Sequence, residues 1–85
     1  MLRVDTEVGN VFIAALSYFA YVRNEIENSG DEAIARTQYK TSVETIFVKF
    51  IQESQRLNIG KKERDTIEAL AQNCLPTLDM SNVPF

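Results

Sequence analysis

Few residues of this chain combine into a pattern that could do chemistry. The 85 residues include a single cysteine, Cys74, and no histidine. Neither a Cys-His nucleophile pair nor a zinc site with several ligands can be built from that inventory. The serines have no base at a recognisable spacing, and the three glycines are isolated rather than grouped in a phosphate-binding loop. We therefore expect no enzymatic activity, no metal and no cofactor.

The carboxylates and the cysteine have structural explanations. Asp31 and Glu32 stand where a helix begins, and a capping role accounts for them. Cys74 follows Ile67 and Ala71 at helical spacing on one apolar stripe, and it has no nearby histidine that would activate it. We expect it to be a packed core residue rather than a reactive thiol.

The only basic cluster lies at a predicted turn and consists of Arg56, Lys61, Lys62 and Arg64, the basic turn. Positive charge at a helix start can contact phosphate, which makes a dimeric nucleic-acid-binding regulator an alternative function. Acidic residues are interleaved with this cluster: Glu63, Asp65 and Glu68. Because the net charge of the chain is −3, nucleic acid is not the partner that we favour. The spacing instead predicts a helical Arg64–Glu68 pair.

A long apolar run dominates the first half of the chain. Residues 11–22 read VFIAALSYFAYV, with a serine as the only clearly polar side chain. A helix that is apolar over most of its circumference must be covered on more than one side, and a chain of this length buries only about 60–65% of its unfolded surface. We therefore predict a homodimer through the first helix, with an interface made by Val11, Phe12, Ala15, Leu16 and Phe19.

The positions of glycine, proline and capping residues predict a single helical domain over residues 1–85. Helices are expected at about residues 6–28, 32–58 and 62–75, followed by an extended tail over 76–85. Asp5 or Thr6 is the expected first N-cap, and Gly60 is the expected residue past the end of the second helix. The fold class is all-α: a long antiparallel helical hairpin with a short third helix and an extended C-terminal tail, packed as a dimeric helical bundle.

Two capping schemes fit the first turn. Ser29 and Glu32 match a capping box, in which each side chain bonds the other's backbone N–H. Alternatively, Gly30 ends the first helix in a left-handed conformation and Asp31 caps the second. Both schemes give a short connection and an antiparallel hairpin.

The apolar run does not read as a membrane segment. It is about eight residues short of a bilayer span. Asp5 and Glu7 precede it, and no small-residue cleavage site follows, so it does not resemble a signal peptide either. We expect a soluble chain that makes no membrane contact, in a reducing compartment that suits one free cysteine, namely the cytoplasm.

The favoured function is that of a small acidic protein-binding module, an adaptor, chaperone, inhibitor or immunity-type regulator acting through apolar helical surfaces. This hypothesis is an analogy from fold class. Its alternatives are the nucleic-acid regulator and a structural subunit of a hetero-assembly. The candidate partner-binding residues are solvent-side apolar or aromatic side chains: Tyr21, Ile34, Val48, Met80 and Phe85.

Overall fold

The computed structural model describes residues 3–76 and residue 78, with side chains from residue 7 onward. Three helices make up this part of the chain: α1 (Arg3–Glu27), α2 (Glu32–Leu57) and α3 (Lys61–Cys74). No strand occurs in it. The all-α fold is therefore confirmed. The bounds of α2 and α3 agree with the predicted ones to within a residue, whereas α1 begins at Arg3, earlier than predicted.

The turn between α1 and α2 follows the second capping scheme. Gly30 has a φ of 82°, in the left-handed region that favours glycine. Asp31 is the N-cap of α2, and its carboxylate accepts a hydrogen bond from the backbone N–H of Ile34 at 3.2 Å. The Ser29 hydroxyl turns back to α1 and donates to the carbonyl of Ile26 at 2.8 Å. The capping box is thus not the arrangement adopted.

The turn between α2 and α3 departs from the prediction. Asn58, and not Gly60, takes the left-handed conformation that ends α2, with a φ of 56°. Asparagine adopts this region more readily than most residues because its short polar side chain can hydrogen-bond to the nearby backbone. Gly60 instead has a φ of −65° and begins α3 without a side-chain cap. Ile59, between them, is buried and ties the turn to the core.

The core lies where one side of each helix meets the other two. Phe19 on α1 and Phe47 on α2 are fully buried, as is Ile67 on α3. The other buried apolar side chains are Ala15, Val22, Ile26, Ala35, Val43, Phe50, Ile51, Ile59, Ala71, Cys74 and Leu75. Ser54 is a buried polar residue, and its hydroxyl is satisfied by the carbonyl of Ile51 at 2.7 Å.

The third helix is much shorter than the hairpin on which it packs. At about 1.5 Å per residue, α3 is about 21 Å long and α1 about 37 Å. Of the predicted tail over 76–85, the structure describes Pro76 and Leu78, and Leu78 is half-buried against the core.

Candidate functional site

An apolar groove runs between α1 and α2, and no residue of α3 lines it. Its volume is about 270 Å³. The wall from α1 consists of Val11, Ala14, Ala15 and Tyr18, and the wall from α2 consists of Ile46, Lys49, Phe50 and Glu53. On each helix these positions are three, four and seven residues apart, so they share one helical face. We call this feature the α1/α2 groove.

The groove is an apolar surface with its charged groups at the rim. Ala15 and Phe50 are buried and form the floor, while Ile46 is half-buried. The Tyr18 hydroxyl donates to the Ser42 hydroxyl at 2.7 Å, which fixes the tyrosine ring along the wall. Since the phenol is already hydrogen-bonded, its ring offers apolar contact area.

The charges at the rim are unequally paired. Arg56 donates to Glu53 at 2.6 Å and to Glu7 at 2.8 Å. Its two carboxylate partners raise the pKa of Arg56 further above its usual value. Lys49 is exposed and makes no ion pair with a side chain from residue 7 onward that the structure describes. Lys49 is therefore the rim charge that remains open to a carboxylate from outside.

A second apolar surface lies on the side of α1 that faces away from the core. Ile13 is 55% exposed and Tyr21 is 54% exposed. Ala14, Ser17 and Ala20 lie between them and are also exposed. We call these five residues the outer α1 face. No charged residue occurs from position 8 to position 22.

Two of the predicted dimer-interface residues are covered within a single chain. Phe19 is completely buried and Ala15 is nearly so. Val11, Phe12 and Leu16 are half-buried and pack against the core. The other helices therefore already cover the side of α1 on which the sequence placed the interface, and at Ala15 and Phe19 that interface does not reach the surface.

The predicted partner-binding residues do not form one site. Ile34 is 59% exposed, while Val48 is half-buried in a shallow depression on α2. The two lie about 21 Å apart along the helix.

Tyr21 stands edge-on to Tyr39 with ring centroids 6.5 Å apart. Hydrogen bonding with Tyr21 raises the pKa of Tyr39. Two further candidates, Met80 and Phe85, lie outside the described residues.

The basic turn is partly neutralised by the chain's own carboxylates. Arg56 is paired as described above, and Lys61 lies 2.7 Å from Asp65. Arg64 is half-buried, and Lys62 is exposed. The ion pair formed in this turn is Lys61–Asp65 and not the Arg64–Glu68 pair that the spacing predicts. The four cations therefore do not present a continuous positive surface.

Cys74 lies in the core, as predicted. It is 1% exposed, and its thiol donates to the carbonyl of Phe19 at 3.2 Å. Burial raises the pKa of the Cys74 thiol, which disfavours the reactive thiolate. Within the described part of the chain, no group of three or more histidine, cysteine or carboxylate side chains is placed to hold a metal ion.

Sequence reasoning missed the α1/α2 groove. Val11, Ala14 and Tyr18 share a helical face that can be read from their spacing. The sequence does not show, however, which part of the broad apolar arc of α1 the other two helices cover. Ala14 and Ile46 were consequently not among the predicted site residues.

Comparison with known protein families, curated proteins and solved structures gives no match to this chain. None of the helices that the structure describes has the combined length and apolar character needed to cross a membrane. The two apolar surfaces are the features of the described residues that could bind a partner.

Proposed function

We propose that the protein is a binding module that receives an amphipathic helix of another protein in the α1/α2 groove. The observation that supports this most is an apolar groove whose lining repeats every three or four residues on both walls. Grooves of this kind suit a helix that presents apolar anchors at the same spacing. The volume of about 270 Å³ is below the usual range of about 300–1,000 Å³ for small-molecule pockets.

The third helix indicates which kind of helix would fit. Two antiparallel helices form a groove on either side, and α3 fills one of them with Ile67, Ala71 and Cys74, all buried. These positions are spaced four and three residues apart. A partner helix with aliphatic or small side chains at that spacing would occupy the other groove and complete a four-helix bundle.

The rim charges add a preference for an acidic flank. Glu53 is already engaged by Arg56, whereas Lys49 is open. A carboxylate of the partner helix placed beside Lys49 would gain an ion pair without displacing an existing one. We therefore infer a partner helix with an apolar stripe and at least one acidic residue bordering it.

Binding of this type would sequester or present the partner helix, as an adaptor, chaperone, inhibitor or immunity-type regulator does. The proposal contains no chemical step. A free thiol buried at Cys74 suits the reducing conditions of the cytoplasm, where we expect the protein to act.

The test is selection from a displayed library of amphipathic helices against the purified chain. The enriched sequences should share an apolar stripe at three- and four-residue spacing and a flanking Asp or Glu. Ile46→Lys places a charge on the groove wall and should weaken binding of the enriched helix at least about tenfold, a cost of about 1.4 kcal/mol. Val48→Lys is the matched control, because Val48 is also a half-buried aliphatic residue of α2 but does not line the groove.

Circular dichroism of both variants shows whether the fold is retained. The proposal fails if the library yields no enriched helix, or if the enriched helix binds Ile46→Lys as tightly as the unmodified chain. Greater sensitivity to Val48→Lys than to Ile46→Lys would move the binding site to the opposite side of α2.

A further inference from the structure

We infer that the helix received by the α1/α2 groove contacts it over three turns only, through three apolar anchors, with its acidic residue beside the middle anchor. This inference rests on the proposed function and deepens it, because it fixes the length of the partner segment and the position of its charge. Polar and aromatic contacts that join α1 to α2 at the two ends of the groove carry it.

The apolar wall on each helix is bordered by polar residues that lie on the same helical face. Positions spaced by four, three and four residues share one face of a helix. On α1 these positions are Glu7, Val11, Ala14 and Tyr18, and on α2 they are Ser42, Ile46, Lys49 and Glu53. Glu7 and Ser42 each lie one turn beyond the residues that line the groove, so they mark its two ends.

One end of the groove is closed by an ion pair between the two helices. Arg56 on α2 donates to Glu7 on α1 at 2.8 Å and to Glu53 on its own helix at 2.6 Å. A partner helix that continued past this point would have to cover three charged side chains, and withdrawing charges from water is costly. The apolar contact with the partner therefore ends at Val11 on this side.

The opposite end is closed by a hydrogen bond and an aromatic contact. Tyr18 on α1 donates to the Ser42 hydroxyl on α2 at 2.7 Å. One turn further along, Tyr21 and Tyr39 meet edge to face with their ring centroids 6.5 Å apart. Side chains of the two helices thus meet each other here, and the groove lining accordingly ends at Tyr18 on α1 and at Ile46 on α2.

The distance between the two closed ends sets the length of the partner segment. Glu7 and Tyr18 are 11 positions apart, which is about 16 Å of helix at about 1.5 Å per residue. A partner helix aligned with the groove therefore makes about three turns of contact, since one turn rises about 5.4 Å. Such a segment presents three anchors, as α3 does on the other side of the hairpin with Ile67, Ala71 and Cys74.

Lys49 lies between the two closed ends, two turns from Ser42 and one turn from Glu53. It is the exposed cation of the groove lining. The charges at the Arg56 end already satisfy one another, so they offer little to an added carboxylate. A carboxylate beside the middle anchor of the partner would reach Lys49, whereas one beside the anchor at the Arg56 end would meet Glu53. The acid is therefore expected at the middle of the segment.

The length limit is tested with stapled helices of two, three, four and five turns, built around the middle anchor of the helix that the library selection enriches. Stapling keeps every length helical, because short free helices are marginal in water. The dissociation constant, measured by fluorescence anisotropy, should fall at least about tenfold from two turns to three and change less than about twofold from three turns to five. A further tenfold fall beyond three turns overturns the inference, as does equal affinity for two turns and three. Either result leaves the helix-binding proposal standing, whereas no binding at any length overturns both.

A double-mutant cycle tests the position of the acid. In the three-turn helix, Asp beside the middle anchor should bind about threefold more tightly than Asn at the same position, and Lys49→Met should abolish this advantage. Lys40→Met is the matched control and should preserve it, because Lys40 is also an exposed lysine of α2 but does not line the groove. An advantage that survives Lys49→Met, or that is larger beside the first or last anchor, would show that the acid is wrongly placed.

Discussion

The exposed sides of α1 and α3 differ in kind, although both helices bury an apolar stripe in the same core. Six of the 14 residues of α3 are charged: Lys61, Lys62, Glu63, Arg64, Asp65 and Glu68. On α1, by contrast, the residues from 8 to 22 include no charge at all. Its exposed positions there carry asparagine, alanine, serine, isoleucine and tyrosine instead.

This difference separates a surface built for water from a surface suited to another protein. Charged side chains are strongly hydrated and keep the exposed side of α3 in solvent. The outer α1 face carries no charged side chain, and the charged residues that line the α1/α2 groove, Lys49 and Glu53, both belong to α2. Contiguous exposed apolar patches mark interaction sites. Substitutions that compare the buried and exposed sides of these helices test the distinction.

The largest effect is expected for Phe19→Asp. Phe19 is fully buried among all three helices, so the substitution removes a core aromatic side chain and buries an unpaired charge, a cost of about 4 kcal/mol or more. Circular dichroism should show an unfolded or strongly destabilised chain.

Tyr21→Asp is the control on the exposed side of the same helix. It should change the free energy of unfolding by less than about 1 kcal/mol. A Phe19→Asp variant that unfolds at the same denaturant concentration as the unmodified chain would contradict the assignment of the buried face.

A smaller loss is expected for Ile67→Ala, which truncates the fully buried side chain that α3 places in its groove. Removal of a buried isoleucine side chain costs about 2–4 kcal/mol. Urea denaturation should give this decrease, whereas Thr66→Ala on the exposed side should stay within about 0.5 kcal/mol of the unmodified chain. Equal effects at the two positions would mean that α3 does not pack as described.

The smallest effect is expected for Lys61→Ala. The Lys61 side chain is 80% exposed, and its ion pair with Asp65 is screened by water. Exposed helical pairs contribute at most about 0.5 kcal/mol, so the thermal midpoint should shift by no more than about 4 °C. A larger shift would indicate that the charges of α3 stabilise the fold, in addition to keeping the exposed side of this helix in solvent.

The sequence predicted the helices well because their determinants are local. The ends of α2 and α3 are marked by capping residues, by Pro76 and by the apolar periodicity. The two turns were harder, since Ser29 and Asp31 both qualify as caps and Asn58 and Gly60 both tolerate a left-handed conformation. Only the hydrogen bonds of the folded chain distinguish these alternatives.

The candidate site was predictable only in part. Periodicity shows that the apolar arc of α1 is too broad for one neighbouring helix to cover. The structure agrees, because α1 buries Phe19 and leaves Ile13 exposed. The rotation of α1 about its axis decides which portion stays uncovered, and that rotation is set by packing against α2 and α3. The sequence therefore placed the predicted interface on the side that contains Phe19, which is buried within a single chain.

The central claim is that a partner helix, and not water, covers the α1/α2 groove in the assembled state. Methyl NMR with a soluble paramagnetic agent measures this directly, because accessible methyl groups broaden. The Ala14 methyl on the groove wall should become shielded as the enriched helix is added, while the Ala69 methyl on α3 stays equally accessible. Equal broadening of the two methyl groups at every helix concentration would contradict the account.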